Sequence, residues 1–150
     1  MERITYNELP KGMFDSLREI EEYLKNSPLD FNLLELIKLR VSQLNGCAYC
    51  LDMHHKELKH HGENDVKLSL LSAWEETDFF TDKEKAALSF AEALTMIDHR
   101  SLRDSIFERL EKHFSKTEIS YLSLTITQIN TWNRLMKVFG FKAGYYEVAK

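Results

Sequence analysis

Apolar residues recur at three- and four-residue intervals along almost the whole of this chain, and little is available to interrupt them: 150 residues hold five glycines and two prolines. Such spacing lines one face of a helix with apolar side chains. The segment "KGMFDSLREIEEYLKN" sets Met13, Leu17, Ile20 and Leu24 on one face with acids opposite. After "SPLD", the run "FNLLELIKLRVSQL" is apolar on most sides, which predicts a helix buried at the centre of the fold. Asn45-Gly46 interrupts it with two residues that tolerate the left-handed conformation ending a helix. A second helix is expected from about Cys47 to His61, stopped by Gly62, and a short one in "NDVKLSLLSAW" capped by Asn64.

Two capping boxes punctuate the second half. Thr81 with Glu84 opens "KEKAALSFAEALTMI", whose Ala87, Phe90, Ala91 and Leu94 share a stripe, and Ser115 with Glu118 opens a long last element. Between them "SLRDSIFERLEKHF" reads as another amphipathic helix. Tyr121 to Thr127 alternates apolar and polar residues and is rich in β-branched ones, a strand pattern. The cap, the length, and the spacing of Ile119, Leu122, Ile126 and Ile129 argue for helix there instead. The expectation is an all-α, single-domain bundle of about six or seven helices over residues 1–150.

A chain of this length buries roughly 70% of the surface its unfolded form exposes. Its net charge of -4, with lysines and arginines scattered among acids, lacks the basic footprint of a nucleic-acid binder. The N-terminal "MERITYNELPKGMF" has no apolar core of the secretory kind, and no apolar run approaches the ~18 residues of a membrane span. These features predict a cytoplasmic protein with neither nucleic acid nor membrane as partner. In that compartment a C-x-x-C pair points to redox chemistry or metal binding rather than to a permanent staple.

The pair lies in "NGCAYCLDMHHKELKHHG", Asn45 to Gly62, which also holds four of the six histidines. Cys47 falls at the start of the predicted second helix, where free N–H groups and the macrodipole favour a thiolate. Cys50 is one turn further on and His54 one turn beyond that, on the same stripe, so the imidazole can take the Cys50 proton directly or through a water. The dipole favours Cys47 as nucleophile and the base favours Cys50. If the two helices fold back on each other, Glu35 stands at nearly the height of His54, at about 1.5 Å per residue, and can orient it. Glu35 could instead pair with Lys38 or Arg40.

Other readings of these residues stay open. The cysteines could be two small buried apolar side chains. Cys47, Cys50, His54 and His55 are four potential zinc ligands, though His55 faces away and no second C-x-x-C is present. His60 and His61 complement the end of their helix, and His99 and His113 read as surface histidines. Trp132, Asn133 and Arg134 fit a pocket, a subunit interface or plain helix packing.

Taken together, Glu35, Cys47, Cys50 and His54 in the order E-x11-C-x2-C-x3-H, "FTDKEKAALSFAEALT" from Phe80 to Thr95, and "INTWNRL" from Ile129 to Leu135 resemble the alkylhydroperoxidase D-like branch of the carboxymuconolactone decarboxylase family. The resemblance covers roughly residues 29–140. It implies an all-helical fold assembling into homo-oligomers (dimers, trimers or hexamers) and a thiol peroxidase that needs no cofactor beyond an external dithiol reductant or reductase protein. By that resemblance Cys50 is the peroxidatic cysteine, Cys47 the resolving one, and His54 and Glu35 the proton relay. The chain departs from those peroxidases at Tyr49, where they carry a histidine beside the second cysteine. A non-catalytic redox switch or oligomeric stress protein using the same dithiol is the alternative that Tyr49 supports.

Overall fold

The computed structural model describes residues 2–98 and 100–149. Among them there is no strand, and seven α-helices follow one another: α1 (Met13–Lys25), α2 (Phe31–Asn45), α3 (Ala48–His60), α4 (Asp65–Leu70), α5 (Asp82–Thr95), α6 (Asp104–Glu111) and α7 (Lys116–Phe139). Two 3-10 turns, Tyr6–Glu8 and Leu71–Glu76, complete the order. The expected all-α bundle is the one observed.

Four helix starts carry side-chain caps, three of them at Asn64, Thr81 and Ser115, where the sequence predicts them. The Asp30 carboxylate accepts from the Leu33 N–H at 3.0 Å, and the Asn64 side chain accepts from Val66 and Lys67. Both capping boxes form: Thr81 Oγ1 accepts from Glu84 N, whose carboxylate accepts from Thr81 N, and Ser115 and Glu118 repeat the exchange. The strand-like stretch 121–127 lies inside α7, its hydroxyls turned back on carbonyls one turn earlier, such as Thr125 Oγ1 on Tyr121 O. The expected "NDVKLSLLSAW" helix is split: α4 ends at Leu70 and a 3-10 turn follows, because Ala73 leaves helical geometry. Residues 101–114 hold a shorter helix than expected, Asp104–Glu111.

At the centre lies α2, packed on α3, α5 and α7. Its Leu36, Ile37 and Val41 are fully enclosed, each worth about 1.5–3 kcal/mol of burial. One face joins Ala87, Phe90, Leu122, Ile126 and Ile129 from α5 and α7, while the other joins Leu58, Leu71, Trp74 and Leu88. A third cluster, Phe14, Cys47, Cys50, Met136 and Phe139, surrounds the dithiol. The first helix deviates from its expected pattern. Phe14 rather than Met13 is buried, and Glu21 turns inward toward α2 instead of lying opposite the apolar face. No helix among the described residues is long and apolar enough to cross a membrane.

The α2–α3 turn is what fixes the site. Gly46 adopts φ 61°, ψ 41° and its N–H returns to Gln43 and Ser42 carbonyls; a side chain there would meet the left-handed penalty. Asn45 then locks the turn to α7, donating to Asn130 Oδ1 at 3.0 Å and Asn133 Oδ1 at 2.9 Å. Asn133, fully buried, donates to Ser42 Oγ at 3.0 Å, and Lys137 Nζ donates to Asn45 O at 2.7 Å.

Candidate functional site

Cys47 is the N-cap residue of α3 and Cys50 lies in its first turn. The two are joined as a disulfide with Cα atoms 5.4 Å apart, a separation that disulfide geometry accommodates. Because α3 begins at Ala48 rather than Cys47, both sulfurs sit at its positive end. His54, one turn after Cys50, is 7% exposed, and the cysteines are 1% and 3% exposed.

The fold-back of α2 on α3 brings Glu35 to His54. Glu35 Oε2 lies 2.6 Å from His54 Nδ1, leaving Nε2 as the ring nitrogen free of that contact. The competing partner is also present: Lys38 Nζ donates to Glu35 Oε1 at 2.9 Å. Glu35 thus joins both, one oxygen each, while Arg40 is engaged by Glu92 of α5 at 2.7 Å. Burial pushes the Glu35 carboxyl up, but the His54 imidazole and the Lys38 ammonium outweigh it and bring it down to about 2. Glu35 is held ionised in a buried position, as an orienter of His54 requires.

Beyond Lys38 the chain of contacts continues. Its ammonium also donates to Glu21 Oε2 of α1 at 3.1 Å, and Trp132 Nε1 of α7 donates to Glu21 Oε1 at 2.9 Å. Burial disfavours charge on Lys38, yet Glu35 and Glu21 more than offset this and raise its pKa. Trp132 is thereby a packing and anchoring residue, Asn133 a buried clamp, and Arg134 lines a shallow depression of about 270 Å³ between α5 and α7.

Tyr49, between the cysteines, is half-buried and packs edge-on against Phe141, ring centroids 5.8 Å apart. Burial, followed by the nearby Asp52 charge, raises its phenol pKa, so it is no base near neutral pH. With Phe141, Tyr145 and Tyr146 it lines a cavity of about 470 Å³. This cavity belongs to a feature sequence reading missed: residues 141–149 fold back over α3. Gly144 N donates to Asp52 Oδ2 at 2.9 Å, Lys56 Nζ to Tyr146 O at 2.9 Å, and the Tyr146 hydroxyl donates to Glu57. A segment without periodicity gives no signal of where it docks, although two adjacent tyrosines in a glycine-containing tail mark it as more than a charged terminus.

His55 and His60 are exposed, and His61 Nδ1 lies 3.0 Å from the Glu57 carbonyl at the end of α3. His113 is half-buried, and His99 lies outside the described residues. Among the described residues no group of three or more His, Cys, Asp or Glu side chains converges as a metal site.

The structure is thus a helical bundle with a buried cysteine pair at a helix start and a buried carboxylate–imidazole pair whose histidine lies one turn further along the same helix. Residues 11–93 match the model of the carboxymuconolactone decarboxylase family, and the chain belongs to that family, in its alkylhydroperoxidase D-like branch. It is 39% identical to the uncharacterized protein YdfG of Bacillus subtilis, over 95% of this chain and 97% of that one. Its fold matches that of ATU0492 from Agrobacterium tumefaciens, a protein of unknown function named as a candidate AhpD antioxidant-defence protein. The TM-score is 0.92 at 37% identity, covering 97% and 100% of the two chains. An AhpD-core, peroxidase-related protein from Ralstonia eutropha JMP134 shares the fold at TM-score 0.78 and 19% identity, over 88% of this chain and 70% of that one.

Proposed function

We propose that this protein is a thiol-dependent peroxidase that reduces hydroperoxides through Cys47 and Cys50. The observation that supports this most is the buried Glu35–His54 contact at 2.6 Å, one helical turn from Cys50. A purely structural disulfide has no use for an oriented imidazole one helical turn along from it.

In the reduced protein His54 takes the Cys50 proton. The thiolate then attacks the distal peroxide oxygen, the O–O bond breaks, and the leaving alkoxide receives a proton from the His54 imidazolium. Cys50 is left as a sulfenic acid. Cys47 attacks its sulfur, water departs, and the disulfide forms. The balance is one hydroperoxide and two thiols giving one alcohol, one water and one disulfide. An external dithiol, a small molecule or a reductase protein, restores the thiols by exchange. No cofactor enters the cycle, and a cytoplasmic setting would supply the reductant.

Turnover of hydrogen peroxide and an organic hydroperoxide, coupled to dihydrolipoamide as reductant, tests the reading. Cys50→Ser is expected to be inactive and Cys47→Ser to stop after one oxidation, as a stable sulfenic acid. A Cys50→Ser variant as fast as the parent would remove the assignment. Tyr49 in place of a basic residue favours one second reading, a redox switch without meaningful turnover. It predicts reversible oxidation of the dithiol and a change in the homo-oligomer, dimer or higher, seen by light scattering.

A further inference from the structure

The relay assigned above uses Glu35 and His54, but the buried polar chain runs two residues further, and those residues carry charge. Lys38 is 8% exposed and sits between two carboxylates, Glu35 at 2.9 Å and Glu21 at 3.1 Å. A lysine enclosed this far is costly unless its charge is compensated. One carboxylate would suffice for that, and α1 brings a second, itself fixed by the Trp132 indole of α7.

Resting on the reading of His54 as base, we propose that Lys38 and Glu21 are positioning residues that set the proton affinity of the coupled Cys50–His54 pair, acting through Glu35. The reasoning is electrostatic. With His54 neutral, Glu35, Lys38 and Glu21 leave one net negative charge in the buried chain. That charge decides how readily the imidazole accepts the Cys50 proton and how easily the resulting thiolate forms. Removing the ammonium leaves two uncompensated carboxylates and raises every proton affinity nearby. Removing the Glu21 charge leaves none and lowers them.

Other charges around the pair are already engaged. Arg40 of α2 is held by Glu92 of α5, Glu57 of α3 takes the Tyr146 hydroxyl from the C-terminal segment, Asp52 of α3 is bound by Lys56, and Arg18 of α1 pairs with Asp15. The α7 face contributes the neutral Trp132 and, at the α2–α3 turn, Lys137, whose ammonium donates to Asn45 O. Lys38 is therefore the charge that reaches Glu35 directly, and Glu21 reaches it through Lys38.

The experiment is a pH titration of thiolate ultraviolet absorbance in the reduced protein, with Cys50→Ser as the reference for the Cys50 signal. It needs no turnover, so it reads the proposal even if the peroxidase reading fails. Lys38→Met is expected to move the midpoint up by about one pH unit, from the loss of a unit charge several ångströms away at an effective dielectric near ~20. Glu21→Gln is expected to move it down by a similar amount. The double variant Lys38→Met/Glu21→Gln, which restores the parent's net charge, is expected to return to the parent midpoint. Lys38→Arg, which keeps the charge, is expected to stay near it.

A merely structural ion pair predicts lower melting temperatures with unmoved midpoints, and that result overturns the proposal. So does a shift of both single variants in one direction. If Lys38→Met does not fold, the downward shift of Glu21→Gln and the parent-like midpoint of the double variant decide the matter alone. His54→Ala runs in parallel. A His54→Ala midpoint identical to the parent's sinks the base reading itself. A moved His54→Ala midpoint with unmoved Lys38 and Glu21 variants sinks only the present proposal.

Discussion

Replacing Glu35 with glutamine keeps the shape of the side chain and removes its charge. Three groups respond: His54 loses its anionic partner, Lys38 keeps only Glu21, and the buried amide must satisfy both oxygen-side contacts with one oxygen. The magnitude follows from linkage. The Glu35 carboxyl titrates at about 2 in the folded protein against an ordinary 4.5, a depression worth on the order of 3 kcal/mol. Because the folded value is depressed, this stability is fully present above the unfolded value near 4.5 and fades as pH falls toward about 2. Breaking one partner of a buried pair gives a similar figure, about 3–5 kcal/mol. For a chain of this size that corresponds to a melting temperature roughly 6–12 °C lower near neutral pH. The assay is thermal or urea unfolding of reduced parent and Glu35→Gln at matched concentration, across acid and neutral pH. The gap between them should be largest near neutrality and close steadily below pH ~4.5. Equal stability near neutrality, or a gap that does not change with pH, would refute the claim that Glu35 is held ionised by His54 and Lys38.

Further perturbations bear on the scaffold and on access to the dithiol. Gly46→Ala is expected to cost about 1–2 kcal/mol in unfolding experiments, through its backbone alone, since the new Cβ meets only Lys137 Nζ at an ordinary 3.7 Å. Ser115→Ala removes the cap accepting from Glu118 N and should lower stability by about 1 kcal/mol. Tyr146→Phe deletes the bond to Glu57, worth about 1 kcal/mol. Hydrogen exchange in residues 141–149 should then be roughly fivefold faster, with the rest of the chain unchanged. A chain ending at residue 143 loses all three anchors on Asp52, Lys56 and Glu57. Its disulfide is expected to be reduced several-fold faster by a small dithiol, because local opening governs access to buried groups; an unchanged rate would show that the reductant enters elsewhere.

The fold was legible because its information is local. Caps such as Thr81 with Glu84, the left-handed stop at Gly46, and the spacing through α2 and α5 each specify an element without knowledge of its neighbours. One long-range contact was also legible: treating α2 and α3 as a hairpin places Glu35 beside His54, where the structure has them. Elements set by tertiary packing were not. Glu21 reads as one acid among several on α1, and only the approach of α1 to α2 turns it inward to Lys38. The split between α4 and the following 3-10 turn depends on Ala73 leaving helical geometry while Trp74 is drawn into the core and bonded to Glu92. The docking of the C-terminal segment arises from single bonds to Asp52, Lys56 and Glu57, which no periodicity announces.

The central claim is that His54, oriented by Glu35, activates Cys50. Its most direct test is the rate of Cys47–Cys50 disulfide formation by hydrogen peroxide in the reduced protein, followed against pH in the parent and in His54→Ala. The account predicts that the variant is slowed most near neutral pH, by about 10²-fold or more, and approaches the parent only where the thiol ionises unaided, near pH ~8.5. Superimposable rate profiles for the two proteins would contradict it.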